Sequence, residues 1–438
     1  MKKYLFNLNN IKISIIGLGY VGLPLAIEFG KKIKTSGFDI SRKRIKELKK
    51  NIDDNEELNK KDFLSSKHIS FHSNFTEIKN SNFYIVCVPT PVNQKNVPNL
   101  SLLKKACLLL SKVIKKNDFI VFESTVYPGT TEEICIPLIQ QEYCKIHNIK
   151  KLEKNYFNYG YSPERINPGD KSNTLSNVYK VVSGNNQSNL NIITKVYSLV
   201  TNKIFKAKSI KVAEAAKIIE NCQRDINIAF MNELTMIFDK LNINFNEVLK
   251  AASSKWNFIN FKPGLVGGHC IGVDPYYLAH KSLLAGYTPK VILSGRKIND
   301  EMPKFYSKKI KYNIKKKFLK ISKSNKILLL GLSFKENVND IRNSKALEIV
   351  SILKKSFNLH LHDPLVRKNQ LTRENQNLFV KKFKNNFYDV VILIVPHKQY
   401  INIDFQRKIK KITKKNFLLF DIKNAANSKL FDDELIRF

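Results

Sequence analysis

The sequence predicts an α/β protein in which two parallel-sheet domains are joined by a long central helix. Strand-like apolar segments alternate with helical ones over residues 11–205, apolar residues then recur at helical spacing over 210–241, and the alternation restarts near residue 327. Such alternation is typical of βαβ units, whose strands form a parallel sheet. The 438 residues are enough for two or three domains, and an apolar content of 43% can supply their cores.

The first βαβ unit contains a glycine pattern. Residues 11–16 are a β-branched strand that leads into Gly17-Leu18-Gly19-Tyr20-Val21-Gly22, with a helix predicted from about residue 24. Glycines in G-x-G-x-x-G permit a tight turn and let a pyrophosphate approach the helix N-terminus. The pattern is weak alone, but Asp39 follows at a predicted strand end, where a carboxylate can bind ribose hydroxyls. Residues 1–205 are therefore expected to form a Rossmann-like domain in which Gly17, Gly19, Tyr20, Val21, Gly22 and Asp39 contact a dinucleotide.

Asp39 favours NAD over NADP as that dinucleotide, although Arg42 and Arg44 nearby leave NADP open, and Arg44 is counted among the cofactor contacts. Predicted strands at 83–88 and 119–123 are followed by Thr90 and Thr125. Because the carboxyl ends of parallel strands line the ligand crevice, both threonines are candidate cofactor or water contacts. Ordinary turn chemistry explains each of them equally well.

A long helix is predicted from Ile210 to Leu241, within a central helical region at residues 206–305. A helix of this length between two α/β regions usually spans domains or builds a subunit interface. Lys217 and Asn221 are four residues apart and share one face of it, which either points at a ligand or is a solvated surface. The C-terminal α/β domain at 306–438 has predicted strands at 327–330, 359–362, 390–395 and 417–421.

Cys270 is the cysteine with a reactive context. It ends the glycine-dense segment Gly267-Gly268-His269-Cys270, and Asp274 follows it. A free thiol has a pKa of about 8.5, and a nearby lysine or helix N-terminus raises its thiolate fraction. Lys217 is the candidate for the nearby lysine, and the turn before a helix predicted at 276–284 is the candidate for the helix N-terminus. Since adjacent residues of an extended segment face opposite ways, His269 is expected to be structural or to contact a ligand rather than to act as the base.

The net charge of +38 is compatible with a nucleic-acid or membrane-surface binder. The alternative is an accumulation of lysine at solvated positions such as Lys315–Lys317, and no nucleic-acid recognition motif accompanies the charge. We therefore expect no nucleic-acid partner. The sequence contains no apolar run of roughly 20 residues and no secretory signal after Met1, which predicts a cytoplasmic protein without membrane attachment. The six cysteines have no metal-ligand spacing, so no metal is expected.

Taken together and in this order, the motifs resemble the UDP-glucose/GDP-mannose dehydrogenase family from about Ile13 to Lys423. They are Gly17–Gly22, Asp39, Val88–Pro91, Ser124–Val126, Ser162–Glu164, Lys217 with Asn221, Gly267–Cys270, Gly331–Lys335 and Asp340–Ser344. His269, where UDP-glucose enzymes usually carry serine, is similar to the branch that acts on UDP-N-acetylhexosamines for surface polysaccharides. UDP-glucose or GDP-mannose remains the alternative substrate, and the choice between UDP-N-acetylglucosamine and UDP-N-acetylgalactosamine stays open.

The resemblance implies a four-electron oxidation at carbon-6 that uses NAD twice, in a homodimer formed through the long helix. Cys270 would be the nucleophile, and Lys217, Asn221 and Asp274 would stabilise the oxyanion and order water. Glu164 and Thr125 would activate or position the hydrolytic water, and Lys335 and Arg342 would contact UDP. The remaining predicted substrate contacts are Arg165, Gly267 and His269.

One departure from the family pattern concerns a basic side chain. UDP-glucose enzymes have an arginine upstream of the cysteine loop that reaches the partner subunit's substrate, where this chain reads Ser253-Ser254-Lys255-Trp256. Lys255, Lys262 or Arg296 are the candidates to replace it.

Overall fold

The computed structural model describes residues 8–55, 57–153, 155–165, 174–431 and 434–438. They divide into two compact units, one made of residues 1–220 and 276–288, the other of 221–275 and 289–438. Each contains its own sheet and its own buried cores. The predicted α/β class with mostly parallel sheets is confirmed.

The first unit is built on a sheet of eight described strands in the order β3-β2-β1-β4-β5-β6-β7-β8. The strands are β1 (Ile13–Ile16), β2 (Thr35–Phe38), β3 (Ile69–His72), β4 (Phe83–Val86), β5 (Phe119–Phe122), β6 (Asn158–Tyr161), β7 (Lys180–Gly184) and β8 (Ile204–Lys206). The helices that connect them are α1 (Gly22–Gly30), α2 (Arg42–Leu48), α3 (Lys60–Ser65), α4 (Ser101–Leu110), α5 (Ile136–His147) and α6 (Gln187–Tyr197). This order of β1 to β6 is that of a dinucleotide-binding sheet, in which ligands bind at the carboxyl ends of the strands.

The last two strands of this sheet, β7 and β8, are parallel to each other and run against the other six. β6 and β7 are antiparallel, with Gly160 opposite Gly184 and Tyr161 opposite Ser183. The beginning of β7 therefore lies at the same edge as the carboxyl ends of β5 and β6. Residues at the start of β7 are thus placed among those that follow the parallel strands.

Four helices belong to the central region, and the first of them has the predicted bounds. They are α7 (Ile210–Leu241), α8 (Phe245–Ala252), α9 (Asp274–Leu284) and α10 (Lys290–Phe318). Lys315–Lys317 lie exposed in the last turn of α10, which fits the interpretation of this run as a solvated helix face. Among the helices that the structure describes, none has the length and apolar run required to cross a bilayer.

The second sheet has five described strands in the order β10-β9-β11-β12-β13, all parallel. The strands are β9 (Lys326–Leu330), β10 (Asn358–His362), β11 (Tyr388–Leu393), β12 (Thr413–Asp421) and β13 (Leu435–Arg437). The helices are α11 (Lys345–Leu353), α12 (Arg373–Leu378), α13 (Lys398–Ile401) and α14 (Ile403–Ile412). β11 is buried along its whole length, as its unbroken apolar run over Val390–Val395 predicts.

A tight glycine turn follows β9. Gly331 has a φ of +90°, and a β-carbon there would lie 2.5 Å from the carbonyl oxygen of Val395. The carboxylate of Asp363, at the end of β10, accepts hydrogen bonds from the backbone N–H groups of Leu332 (2.7 Å) and Ser333 (3.2 Å) and lies 3.0 Å from His397 Nε2. Asp363 is only 3% exposed, so the partners of this carboxylate are groups inside the protein rather than solvent.

Candidate active site

Of the three glycines in the turn after β1, only one has space next to it for a ligand. Gly17 has a φ of +94°, and a β-carbon on Gly22 would lie 1.9 Å from the carbonyl oxygen of Gly17. Both positions are therefore closed by the backbone. A β-carbon on Gly19 would meet nothing within 4 Å, and Gly19 is exposed. The open space at Gly19 is where a phosphate can approach the backbone.

The side chains of Asp39 and Arg44 are hydrogen-bonded to the backbone of this turn. One carboxylate oxygen of Asp39 accepts from the backbone N–H of Leu18 at 2.9 Å, and the other accepts from that of Ser41 at 2.8 Å. The guanidinium of Arg44 donates to the Leu18 carbonyl (3.2 Å) and to Asp53 (2.7 Å). Because Arg44 is committed to these buried partners, the geometry favours NAD over NADP, and its predicted cofactor contact stays a prediction.

These residues fit a dinucleotide. Tyr20 and Val21 are half-buried beside Gly19, and among the described residues no side chain caps the N-terminus of α1. The positive end of the dipole of that helix can therefore attract an anion. Asp39 is half-buried and keeps lone pairs for ribose hydroxyls.

Substitutions at two of these glycines separate cofactor binding from folding. In Gly19→Ala the methyl group enters the open space, so we expect NAD affinity to fall at least about tenfold while the melting temperature is unchanged. In Gly22→Ala the methyl group overlaps backbone, so we expect the melting temperature itself to fall. Calorimetric titration with NAD and thermal melts measure both effects. Unchanged NAD affinity in Gly19→Ala would contradict this placement of the cofactor.

Thr90 and Thr125 are brought together at the carboxyl ends of β4 and β5. The hydroxyl of Thr90 donates to the carbonyl of Thr125 at 2.6 Å. Tyr277, fully buried on α9, donates its hydroxyl to the carbonyl of Thr90 at 2.5 Å. The hydroxyl of Ser124 donates to the carbonyl of Val88 at 2.7 Å, which ties the two loops together a second time. Sequence reasoning found the threonines but missed Tyr277, whose position depends on the packing of a distant helix.

Glu164 follows β6 and lies in a buried ion cluster. Its Oε2 is 3.2 Å from the ammonium of Lys180, which is also 2.7 Å from Glu123. Its Oε1 accepts from the backbone N–H of Arg165 at 2.7 Å. The guanidinium of Arg165 pairs with Glu220 at 2.7 Å, and its predicted substrate contact stays a prediction. Lys180 was not singled out from the sequence.

In the second unit, Cys270 and Asp274 are joined by a turn that opens α9. The carbonyl of Cys270 accepts from the backbone N–H of Asp274 at 2.8 Å. The side-chain amide of Asn221 donates to the carboxylate of Asp274 at 2.5 Å, and both residues are buried. Asn221 and Asp274 are thus hydrogen-bonded next to the Cys270 turn, and the predicted catalytic roles of these three residues stay predictions.

The neighbouring thiol of Cys222 is a poor competitor for the nucleophilic role. Burial, with Asp274 and Asp225 nearby, raises the pKa of Cys222 to about 12. Cys270 is half-buried and therefore accessible. Lys217 is half-buried on α7, one turn before Asn221, and its predicted role with Cys270 stays a prediction.

The cysteine loop contacts the C-terminal domain on its other side. His269 Nδ1 is 3.4 Å from Arg342 Nη2 and 3.8 Å from the carboxylate of Asp340. Asn343 donates its side-chain amide to the carbonyl of Gly268 at 3.1 Å, and Gly267 packs against the backbone of the same asparagine. The predicted ligand residues Gly267, His269 and Arg342 are therefore grouped, and Arg342 is exposed.

Lysines line a cleft of about 280 Å³ in this unit, formed in part by Lys250, Lys262 and Lys423. Lys262 is exposed and Lys423 forms an ion pair with Glu336. Lys335, predicted to contact UDP, is half-buried and offers its carbonyl to the hydroxyl of Ser333 at 2.8 Å. A cleft of this charge suits a diphosphate. Lys423 was not among the predicted contacts.

Arg296 lies inside the protein rather than at its surface. It is 2% exposed, and its guanidinium pairs with Asp225 and Asp300, each at 2.6 Å. Asn299 donates to the same oxygen of Asp225 at 2.7 Å. A β-carbon on Gly272 would lie 3.9 Å from Arg296 Nη1, so this network supports the cysteine loop. The predicted substrate contact of Arg296 stays a prediction.

Comparison with known proteins agrees with this geometry. Three models of the UDP-glucose/GDP-mannose dehydrogenase family match in chain order: the NAD binding domain at residues 11–201, the central domain at 211–301 and the UDP binding domain at 328–428. The glycine turn lies within the part matched by the NAD binding domain, and most of the second sheet lies within the part matched by the UDP binding domain.

Relatives match over nearly the whole chain. The Salmonella typhi UDP-N-acetyl-D-glucosamine 6-dehydrogenase is 45% identical over 98% of this chain and 100% of its own length. Protein CapL of Staphylococcus aureus is 47% identical over 96% and 97%. A solved UDP-D-ManNAc dehydrogenase from Pyrococcus horikoshii superposes with a TM-score of 0.84 at 27% identity, covering 98% of this chain and 99% of that one. The chain belongs to the UDP-glucose/GDP-mannose dehydrogenase family.

Proposed function

We propose that this protein is an NAD-dependent dehydrogenase that oxidises carbon-6 of a UDP-N-acetylhexosamine from alcohol to carboxylate. The observation that carries the proposal is Cys270, accessible at the opening of α9 beside the Asn221–Asp274 pair, in a chain 45% identical to a UDP-N-acetyl-D-glucosamine 6-dehydrogenase. That relative's name favours UDP-N-acetylglucosamine over the galacto epimer and over UDP-glucose or GDP-mannose. The product is a uronic acid of the kind used in surface polysaccharides.

Cys270 divides the oxidation into steps that each have a good hydride donor. When bound, NAD supplies the two-electron acceptor for both oxidations. The thiolate of Cys270 adds to the aldehyde carbon and makes it tetrahedral, which gives a thiohemiacetal whose carbon again carries a transferable hydrogen. We assign Asn221, whose amide also donates to Asp274, as a donor to the oxygen that becomes negative, a contribution of about 3 kcal/mol for a well-placed donor. Lys217 is assigned the same role.

Hydrolysis releases the acid from Cys270. We assign Glu164 as the carboxylate that takes a proton from the attacking water and Thr125 as a residue that positions this water. Both carboxylate oxygens of Glu164 are held, by Lys180 and by the backbone of Arg165, which fixes the orientation of the group.

The nucleotide part of the substrate is assigned to the second unit. Lys335 and Arg342, with Lys262 and Lys423 of the basic cleft, provide the positive charge for a UDP diphosphate. The homodimer stays a prediction. It is supported by apolar side chains of α7 that are about half-exposed, namely Phe230, Ile237 and Leu241.

Counting NADH against sugar tests the function. We expect two NADH for each UDP-N-acetylglucosamine consumed, because both oxidations occur before the acid is released. The same assay with UDP-N-acetylgalactosamine, UDP-glucose and GDP-mannose gives the order of kcat/KM, in which a UDP-N-acetylhexosamine should stand first. One NADH per sugar, or a preference for UDP-glucose or GDP-mannose, would contradict the proposal.

A further inference from the structure

A buried lysine lies behind the predicted hydrolytic carboxylate in the first unit. The side chain of Lys180 is 1% exposed and its ammonium is 2.7 Å from Glu123 and 3.2 Å from Glu164. The other oxygen of Glu123 accepts from the hydroxyl of Tyr197 at 2.5 Å. The side chain of Glu123 is 0% exposed, whereas that of Glu164 is 10% exposed, so Glu164 is the member of the cluster that reaches the surface.

The direction of β7 explains how the cluster forms. Tyr161 pairs with Ser183 in the antiparallel β6–β7 ladder, and continuing this register brings Glu164 opposite Lys180. Glu123 directly follows β5, on the other side of β6. A parallel β7 would have placed Lys180 at the opposite edge of the sheet.

The charges in the cluster depend on one another. Burial lowers the pKa of Lys180, but the adjacent carboxylates of Glu123 and Glu164 outweigh it, so the net direction is upward and the ammonium stays charged. Burial raises the pKa of Glu123 despite Lys180. The thiol of Cys87 also faces the cluster, and burial raises its pKa well above the usual range, so it stays neutral. The cation next to Glu164 is therefore permanent at neutral pH.

We propose that Lys180, anchored by Glu123 and Tyr197, is a positioning residue that keeps Glu164 ionised and correctly oriented for hydrolysis of the Cys270 thioester. The inference rests on the proposed function. In this step the water oxygen bonds to the thioester carbon, its proton passes to Glu164, the carbon–sulfur bond breaks and the thiolate of Cys270 leaves. No oxidant or reductant is consumed, so Lys180 acts after both oxidations.

The test uses a variant that removes one positive and one negative charge together. Replacing Lys180 alone would leave two buried carboxylates, whereas Glu123→Gln/Lys180→Met keeps an acceptor for Tyr197 and leaves no uncompensated charge at position 123. Single-turnover reactions with saturating NAD are quenched in acid, and intact-protein mass spectrometry measures the thioester on Cys270. Lys206→Met, an exposed lysine on β8, is the matched control.

We expect the double variant to hydrolyse the thioester about 10- to 100-fold more slowly, so that the thioester accumulates, while the first oxidation changes less than about twofold. Glu164→Gln should accumulate the same species, and adding it to the double variant should slow hydrolysis no further. Lys206→Met should behave as the wild type.

Normal hydrolysis in a folded double variant, or slowing that simply adds to that of Glu164→Gln, would overturn the role of Lys180 and leave the proposed function intact. If the wild-type protein released no NADH from any of the nucleotide sugars, the proposed function and the role of Lys180 would both be overturned.

Discussion

Cys270→Ala is expected to abolish formation of the uronic acid, with a loss of at least about 1,000-fold in its rate. Without the sulfur the aldehyde carbon stays planar and has no thiohemiacetal hydrogen to transfer. At most one NADH per sugar should then be released. Chromatography of the nucleotide sugars, combined with absorbance of NADH, measures acid and reduced cofactor in the same reaction.

Cys144→Ala is the matched control, because Cys144 is half-buried like Cys270 and takes no part in the proposed site. It should keep two NADH per sugar. A normal yield of acid from the Cys270→Ala protein would remove the thiol from the mechanism and, with it, the covalent route.

Asp225→Ala is expected to lower the free energy of unfolding by about 3–5 kcal/mol, because it leaves the buried guanidinium of Arg296 without its main partner. Burial raises the pKa of Asp225 even though Arg296 and Asn299 act in the opposite direction, and its side chain is 0% exposed. Asn299 also loses the acceptor to which it donates. Urea unfolding followed by circular dichroism measures the change.

The control is an ion pair at the surface. Lys116 and Glu153 are 2.7 Å apart but 49% and 73% exposed, so Glu153→Gln should leave the free energy of unfolding almost unchanged. If Asp225→Ala were equally mild, the Arg296 network could not be the support for the cysteine loop that its position beside Gly272 indicates.

Local patterns in the sequence were sufficient for much of this molecule. The glycine turn and Asp39 lie within one βαβ unit. The apolar periodicity of α7 predicts both of its ends, Ile210 and Leu241, because the pattern is continuous within a single element. Spacing alone did not predict that Asn221 lies next to Asp274. That prediction came from the resemblance to the family, whose motifs occur in the same order.

Other features depend on contacts that no local pattern encodes. Lys180 meets Glu123 across 57 residues, and only because β7 runs antiparallel to β6. Arg296 pairs between α7 and α10 with Asp225, which is 71 residues away, and its predicted substrate contact stays a prediction. An arginine next to a candidate loop has the same sequence signature whether it is buried or exposed, so packing decides between the two.

The two glycine turns, after β1 and after β9, differ in what their carboxylates can still do. Asp363 is enclosed with His397, whereas Asp39 remains half-buried at the surface of its own unit. Of the two turns, only the first can therefore serve as an entrance for adenosine ribose. In the proposed oxidation, NADH must leave this entrance and a second NAD must enter it between the two steps. A half-oxidised sugar that was held only by non-covalent contacts would be lost during this exchange. In the proposed mechanism the covalent bond to Cys270 retains it.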